Sequence, residues 1–295
     1  MIRPACTALM LLILSAGASL AAAAPPEDVT QAKITFDGKV RTYLIETPQG
    51  SGPKPTIIML HGRGSTAAAV AKATGLAPLG TQQDFVAVFP NALAHEWNHF
   101  PPDPVPDTDA KRYTGVGGPP DDVGFLKALL ADLVQRGVTD PKHVYLAGFS
   151  NGGFMATRLA CEDADAFAAI ALISSSMSNL AAANCHPSQP LPILIEKGTA
   201  DTHVPYAGGQ TLDHTFTGLS ADQLTDFFTK LDGCSQPADA SQIPGPKKKT
   251  IDVSTWSKCT SGPVVLYKVN GGIHTVYKVP DPAETLWDFF KDHSR

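Results

Sequence analysis

The sequence predicts an α/β domain: an open, mostly parallel sheet with helices on both faces and an antiparallel hairpin at its start. Three observations point there. Short apolar runs rich in Val, Ile and Leu alternate with amphipathic runs along most of the 295 residues, the pattern of strands buried on both faces and joined by helical crossovers. An Asp-Gly pair early in the chain lies between two strand-like segments. A glycine-flanked serine falls where a strand gives way to a helix.

The first 24 residues precede this pattern. Arg3 heads an apolar stretch over 5–20 that runs into Ala21, Ala22, Ala23 and Ala24, which is the layout of a secretory signal peptide and is short for a membrane span. The expected mature unit is one domain over 25–295, exported to an extracellular or periplasmic space, with Cys6 removed and no stable membrane insertion. Its runs at 33–36 and 40–45 flank Asp37-Gly38-Lys39 as the opening hairpin. Further strands are expected over 56–60, 85–89, 144–147, 168–173, 192–196 and 264–269, and helices over 65–74, 121–136, 152–161, 220–231 and 281–293. The helix over 121–136 is the most periodic, with Val123, Leu126, Leu130, Leu133 and Val134 on one face. The stretches 91–120 and 234–255, rich in Pro, Gly and Asp, are expected to frame a site.

The net charge of -5 is mild and mixed along the chain, which gives no electrostatic case for nucleic acid. Lys247-Lys248-Lys249 reads as a solvated turn. Nothing in the sequence specifies an oligomeric state. Four cysteines follow the signal peptide, and an oxidising compartment turns them into two disulfides. Of the three connectivities, the expected one joins neighbours, Cys161 with Cys185 and Cys234 with Cys259. No pair has the C-x-x-C spacing of a zinc knuckle or redox site.

HEWNH at 95–99 matches H-E-x-x-H, in which two histidines one helical turn apart grip zinc. The context is wrong for it. A strand ends at Pro90-Asn91 just before, and Pro101 and Pro102 follow, leaving little room for a helix. A loop near the mouth of a site is expected instead, with no metal.

The chemistry lies in Gly148-Phe149-Ser150-Asn151-Gly152, between a strand and a helix. A serine on so sharp a turn needs glycines on either side, and the helix that follows aims its N-terminal N–H groups at it. Ser150 is the candidate nucleophile. Its partners are expected just after later strands, in the order acid then histidine; Asp201 follows the strand at 192–196 and His274 the strand at 264–269. His61, in Leu60-His61-Gly62-Arg63-Gly64, follows a strand in a glycine-rich loop of the kind that supplies an oxyanion N–H. The oxyanion donors are expected from the backbone of Asn151 and of Arg63. His203 is placed to line the site, whereas His143, His186, His214 and His293 read as surface groups.

These residues resemble the polyhydroxybutyrate depolymerase and feruloyl esterase group of secreted α/β-hydrolases. The resemblance is carried by LHGRGS at 60–65, DDVGFLKALLADL at 121–133, HVYLAGFSNGGFMATRLAC at 143–161, GTADTHVPY at 198–206 and GGIHTV at 271–276. It implies the α/β-hydrolase fold, with Ser150 as nucleophile, Asp201 as triad acid, His274 as base, and no cofactor. It also places Trp97 in a segment where a Trp-Asn pair follows a strand that ends at proline. Ile273 and Val276 stand where many relatives carry glycine and tryptophan, which implies a differently shaped acyl pocket.

The expected function is that of a secreted serine carboxylic-ester hydrolase, polyhydroxyalkanoate depolymerase-like, acting on short-acyl or hydroxyalkanoate esters. Trp97, His61 and His203 are the expected substrate contacts, and the substrate is a small, oligomeric or polymeric ester. The alternatives are a feruloyl or acetyl-xylan-type esterase and, from a different class, a secreted serine peptidase, since a triad alone does not separate ester from amide.

Overall fold

The computed structural model describes residues 29–99, 111–212, 217–235 and 238–295. The expected signal peptide, Pro101, Pro102 and His214 lie outside the described residues. Strands β1 (Thr30–Phe36) and β2 (Lys39–Glu46) form the opening hairpin. Asp37 and Gly38 both take positive φ, 49° and 67°, the two-residue turn whose twist matches the strands it joins.

Strands β3 (Lys54–Leu60), β4 (Val86–Pro90), β5 (Thr139–Phe149), β6 (Ala169–Ile173) and β7 (Ile193–Gly198) follow. A small separate hairpin pairs β8 (Gly209–Gln210) with β9 (Thr217–Gly218), and the chain returns to the main sheet with β10 (Asp239–Pro244), β11 (Thr250–Trp256) and β12 (Val264–Val269). The ten-stranded sheet has the order β1-β2-β4-β3-β5-β6-β7-β12-β11-β10. From β4 to β12 neighbours run parallel, and the pairs at each edge are antiparallel.

Successive strand residues point to opposite faces, and both faces are buried here. Ile58 and Leu60 pack into one core with helices α3 (Asp122–Gln135), α4 (Asn151–Glu162) and α6 (Ala221–Leu231); Ile57 and Met59 pack into the other with α1 (Ala67–Thr74), α2 (Leu76–Gln83) and α7 (Pro282–Phe290). The short α5 (Asn179–Ala183) follows β6. Among the described residues no helix is long and apolar enough to cross a membrane.

Three expectations need correction. The stretch 234–255 is not a loop: β10 and all of β11 but Trp256 lie in it, because Ile243 pairs opposite Ile251 and the alternation hides among Pro, Gly and Lys. Helix α2 was not foreseen, since Pro78 and Gly80 weaken its pattern; Gly75 at φ 72° ends α1 and starts it. On α3 the buried apolar residues are Val123, Phe125, Leu126, Leu129 and Leu133, whereas Leu130 and Val134 are only half-buried, so the face is centred nearer Phe125 and Leu129 than expected.

The disulfides join Cys161 to Cys185 and Cys234 to Cys259, as expected. The loops they close span 24 and 25 residues, and a link of that span stabilises by about 3 kcal/mol, largely by restricting the unfolded chain. Reduction is expected to lower the melting temperature while leaving the initial rate of the folded enzyme intact. Scanning calorimetry with and without reductant, beside rates at low temperature, checks this.

Candidate active site

The site forms at the carboxyl ends of the parallel strands, where an open α/β sheet exposes its loops. Strand β5 ends at Phe149 and α4 starts at Asn151, so Ser150 alone makes the turn, at φ 52° and ψ -118°. This region is costly for a residue with a Cβ, about 1 to 3 kcal/mol. The surroundings enforce it. The Ser150 N–H donates to the Ile173 carbonyl at 3.0 Å, and Gly153 and Phe154 N–H groups donate to the Ser150 carbonyl. Both flanking glycines are required: a Cβ on Gly148 would lie 2.2 Å from the Gly152 oxygen, and one on Gly152 would lie 2.5 Å from the Leu60 oxygen.

Asp201 and His274 arrive on the loops after β7 and β12. The two loops are stitched together by Ala200 N–H to Gly272 O at 2.8 Å and Gly271 N–H to the Thr199 hydroxyl at 2.7 Å. His274 Nδ1 lies 2.8 Å from Asp201 Oδ2, and its Nε2 lies 2.9 Å from Ser150 Oγ. Asp201 Oδ1 accepts from the N–H groups of His203 and Val204 at 2.8 and 2.9 Å. Burial on its own would raise the Asp201 carboxyl; the hydrogen bonds from His274 and the two backbone N–H groups outweigh it and hold the group below the usual range. With Asp201 ionised, the hydrogen-bond pattern places the imidazole proton on Nδ1 and leaves Nε2 to accept from the serine hydroxyl.

Asn151 is the first residue of α4, where backbone N–H groups have no partner within the helix. Its side chain is locked: Oδ1 accepts from Trp97 N–H at 2.7 Å and Nδ2 donates to the Trp97 carbonyl at 3.1 Å. The expectation that Trp97 offers a substrate platform is overturned by its burial, 0% exposed. Its indole N–H donates to the His61 carbonyl at 3.0 Å, so the ring braces the loop from beneath.

His61 is likewise not a substrate contact. It is fully buried, with Nδ1 2.7 Å from the Gly62 carbonyl and Nε2 accepting from Ala92 N–H at 3.1 Å. Burial pushes its pKa down to about 4, leaving a neutral ring that pins the loop carrying Arg63. His203 does reach the site: its exposed ring stacks on His274 with centroids 4.7 Å apart and planes 15° apart. Donor atoms of Asp201, His203 and His274 lie within 4.8 Å of one another, but near-parallel rings do not direct their lone pairs at a common point.

HEWNH is a loop. Leu93–His95 form a single 3-10 turn, with Ala94 and His95 at φ 53° and 57°, and Glu96 is extended. His95 is exposed and its Nδ1 lies 3.0 Å from the Ser65 carbonyl; His99 is buried and stacks on Phe154 at 5.1 Å. The two histidines share no helical face.

Beside Ser150 lies a cleft of about 270 Å³, lined by Gly62, Arg63, Glu96, His99, Phe149, Phe154, His203 and Leu212 among others. Among the described residues, none of 234–255 lines it. Phe149 and Phe154 were legible as neighbours of the serine, one residue before it and one turn after it. Glu96, His99 and Leu212 were not, because their loops are placed only by the fold. Arg63 Nη1 lies 3.7 Å from Glu96 Oε1.

Known proteins share the family and the fold. A feruloyl esterase D of Neurospora crassa is 27% identical over 315 aligned positions, covering 96% of this chain and 96% of that protein. A feruloyl esterase B of Piromyces equi is 32% identical over 182 residues; the match spans 59% of this chain and only 32% of that longer protein. The structure of an acetyl xylan esterase from Aspergillus awamori superposes with a TM-score of 0.59 at 14% identity, covering 88% of this chain and 99% of that one, which shows a shared fold. The family model described as Esterase PHB depolymerase matches residues 42–189, half of the chain, on the segment that runs from β2 past the strand–serine–helix turn to α5. The chain thus belongs to the PHB depolymerase esterase family and is a carboxylic-ester hydrolase.

Proposed function

We propose that Ser150 is the nucleophile of a serine esterase that prefers esters of compact aromatic acids, the feruloyl type. His274 Nε2 takes the Ser150 proton as Oγ attacks the ester carbonyl, and Asp201 fixes the tautomer and stabilises the imidazolium. The oxyanion is held by the backbone N–H groups of Asn151 and Arg63, each worth about 3 kcal/mol in comparable sites. Collapse returns the proton from His274 to the departing alcohol and leaves an acyl-serine. Water then adds to the acyl carbonyl with His274 as base, and the acid leaves as Ser150 regains its proton.

One observation carries the acyl preference: the cleft beside Ser150 is walled by Phe149 and by Phe154 with His99 stacked on it. Such flat faces favour a planar aryl group by offset stacking. The relatives in Neurospora crassa and Piromyces equi, named as feruloyl esterases, support the same reading. A second reading, hydrolysis of short hydroxyalkanoate oligomers, is favoured by the polar rim of Arg63, Glu96 and His203 and by the description of the family model. Export to an oxidising space is part of the proposal, supported by the two disulfides.

The test is kcat/KM for methyl ferulate, a butyrate ester, a 3-hydroxybutyrate oligomer and a palmitate ester side by side. Methyl ferulate is expected to lead, and Phe154→Ala to reduce it more than butyrate. A lead for the oligomer replaces the first reading with the second, and a lead for palmitate defeats both.

A further inference from the structure

Strand β7 carries two charged residues through the middle of the molecule, Glu196 and Lys197, 6% and 0% exposed. Alternation puts them on opposite faces of the sheet. A wholly buried ammonium is costly unless it is hydrogen-bonded and placed against negative charge. Lys197 meets both conditions. Its Nζ donates to the Ser175 carbonyl at 2.9 Å, and Asp201, four residues further on, attracts it. Burial pulls its pKa down to about 8 against that attraction, so the cation persists below that pH.

The residue it holds is the centre of Ser174-Ser175-Ser176, the segment that follows β6, and each hydroxyl of that triplet reaches a different part of the site. Ser174, itself at φ 47°, donates from Oγ to the Thr275 carbonyl at 2.9 Å, next to His274. Ser175 donates from Oγ to the Ser150 carbonyl at 2.7 Å. Ser176 donates to the Leu219 carbonyl at 2.7 Å, just before α6. The Ser174 N–H closes the circuit on the Glu196 carbonyl at 2.8 Å. The start of α4 is pressed onto this segment so tightly that a Cβ on Gly153 would lie 2.5 Å from Ser175 Oγ.

We propose that Lys197 is a positioning residue for the triad: through Ser175 it holds Ser150 in its strained turn, and it sets a buried positive charge on the Asp201 side of the triad. The cation clamps the Ser175 peptide, and Ser175 supplies the third donor to the Ser150 carbonyl beside Gly153 and Phe154. The inference rests on the reading of Ser150 as nucleophile.

The groups that face the triad imidazole are Asp201 on Nδ1, Ser150 on Nε2, the His203 ring stacked on one side and Phe149 tilted against it. Lys197 acts on this set through Asp201. Taking its charge away makes the imidazolium easier to form, so the rise of kcat/KM with pH must move to higher pH.

The experiment compares Lys197→Met and Ser175→Ala with the wild-type enzyme, in kcat, KM, melting temperature and the pH profile. Ser175→Ala removes one hydroxyl from a tight contact and keeps the fold testable if Lys197→Met does not fold. Both variants are expected to lose about tenfold in kcat with KM within about twofold, the cost of a misplaced nucleophile. Only Lys197→Met is expected to shift the acid limb, upward. Folded variants with wild-type kcat and an unmoved limb overturn the inference while Ser150→Ala remains dead. Activity surviving in Ser150→Ala instead overturns the reading on which it rests.

Discussion

Ser150→Ala and His274→Ala are each expected to lower kcat by about 10⁶, and Asp201→Ala by about 10⁴, with the double variant Ser150→Ala/His274→Ala no worse than either single. The reason is the unbroken line of contacts at 2.8 and 2.9 Å from Asp201 through His274 to Ser150. Each proton transfer uses the whole line, so a second deletion removes nothing that remains. Residual activity reports what the oxyanion donors and substrate binding supply alone. Purified variants, checked for folding by circular dichroism and assayed at saturating ester, give the comparison. Losses that multiply would mean the three residues do not act as a unit. Chelation with EDTA is expected to leave the wild-type rate unchanged, since His95 and His99 do not converge.

The second large effect falls away from the chemistry. Asp122→Ala is expected to cost about 3 to 5 kcal/mol of stability, because it strands a buried cation. Asp122 and Arg41 are 0% and 2% exposed and meet at 2.6 Å, and the guanidinium lies 3.7 Å from the centre of the Phe125 ring. The other carboxylate oxygen accepts from Asn98 N–H at 2.8 Å, and Arg158 Nη1 donates to the Asn98 carbonyl at 2.7 Å. Asn98 adjoins Trp97, which grips the Asn151 side chain, so kcat should fall alongside stability. Replacing the pair together, Arg41→Met with Asp122→Leu, is expected to cost less than Asp122→Ala alone. Urea unfolding of the three proteins decides it; a change under about 1 kcal/mol for Asp122→Ala refutes the account.

The strands that carry the site were readable because they are buried on both faces and so apolar throughout, and the elbow was readable because only glycine fits beside Ser150. Asp201 and His274 followed from being placed just beyond such strands. Where packing replaced pattern, reading failed. Trp97 has the side chain of a binding platform, and only the fold shows that its ring is sealed beneath the Arg63 loop. Lys197 looked like the first residue of a loop because it is charged, yet β7 runs on through it to Gly198. A charge inside a buried strand was the available signal. The serine triplet at 174–176 gave none, since its hydroxyls matter only through three carbonyls distant in sequence.

The parallel ladder between β7 and β12 pairs Ile193 with Val264 and Gly198 with Val269, across a stretch that holds β8, β9, α6, β10 and β11. The β3–β5 ladder beside the serine turn is equally non-local, pairing Leu60 with Gly148, so both ladders close over long stretches of chain. The serine turn and the loop that carries His274 are thus each delivered by a separate long-range closure. Recovery of turnover during refolding is therefore expected to wait for both closures and to lag the recovery of secondary structure, leaving a half-formed chain chemically silent.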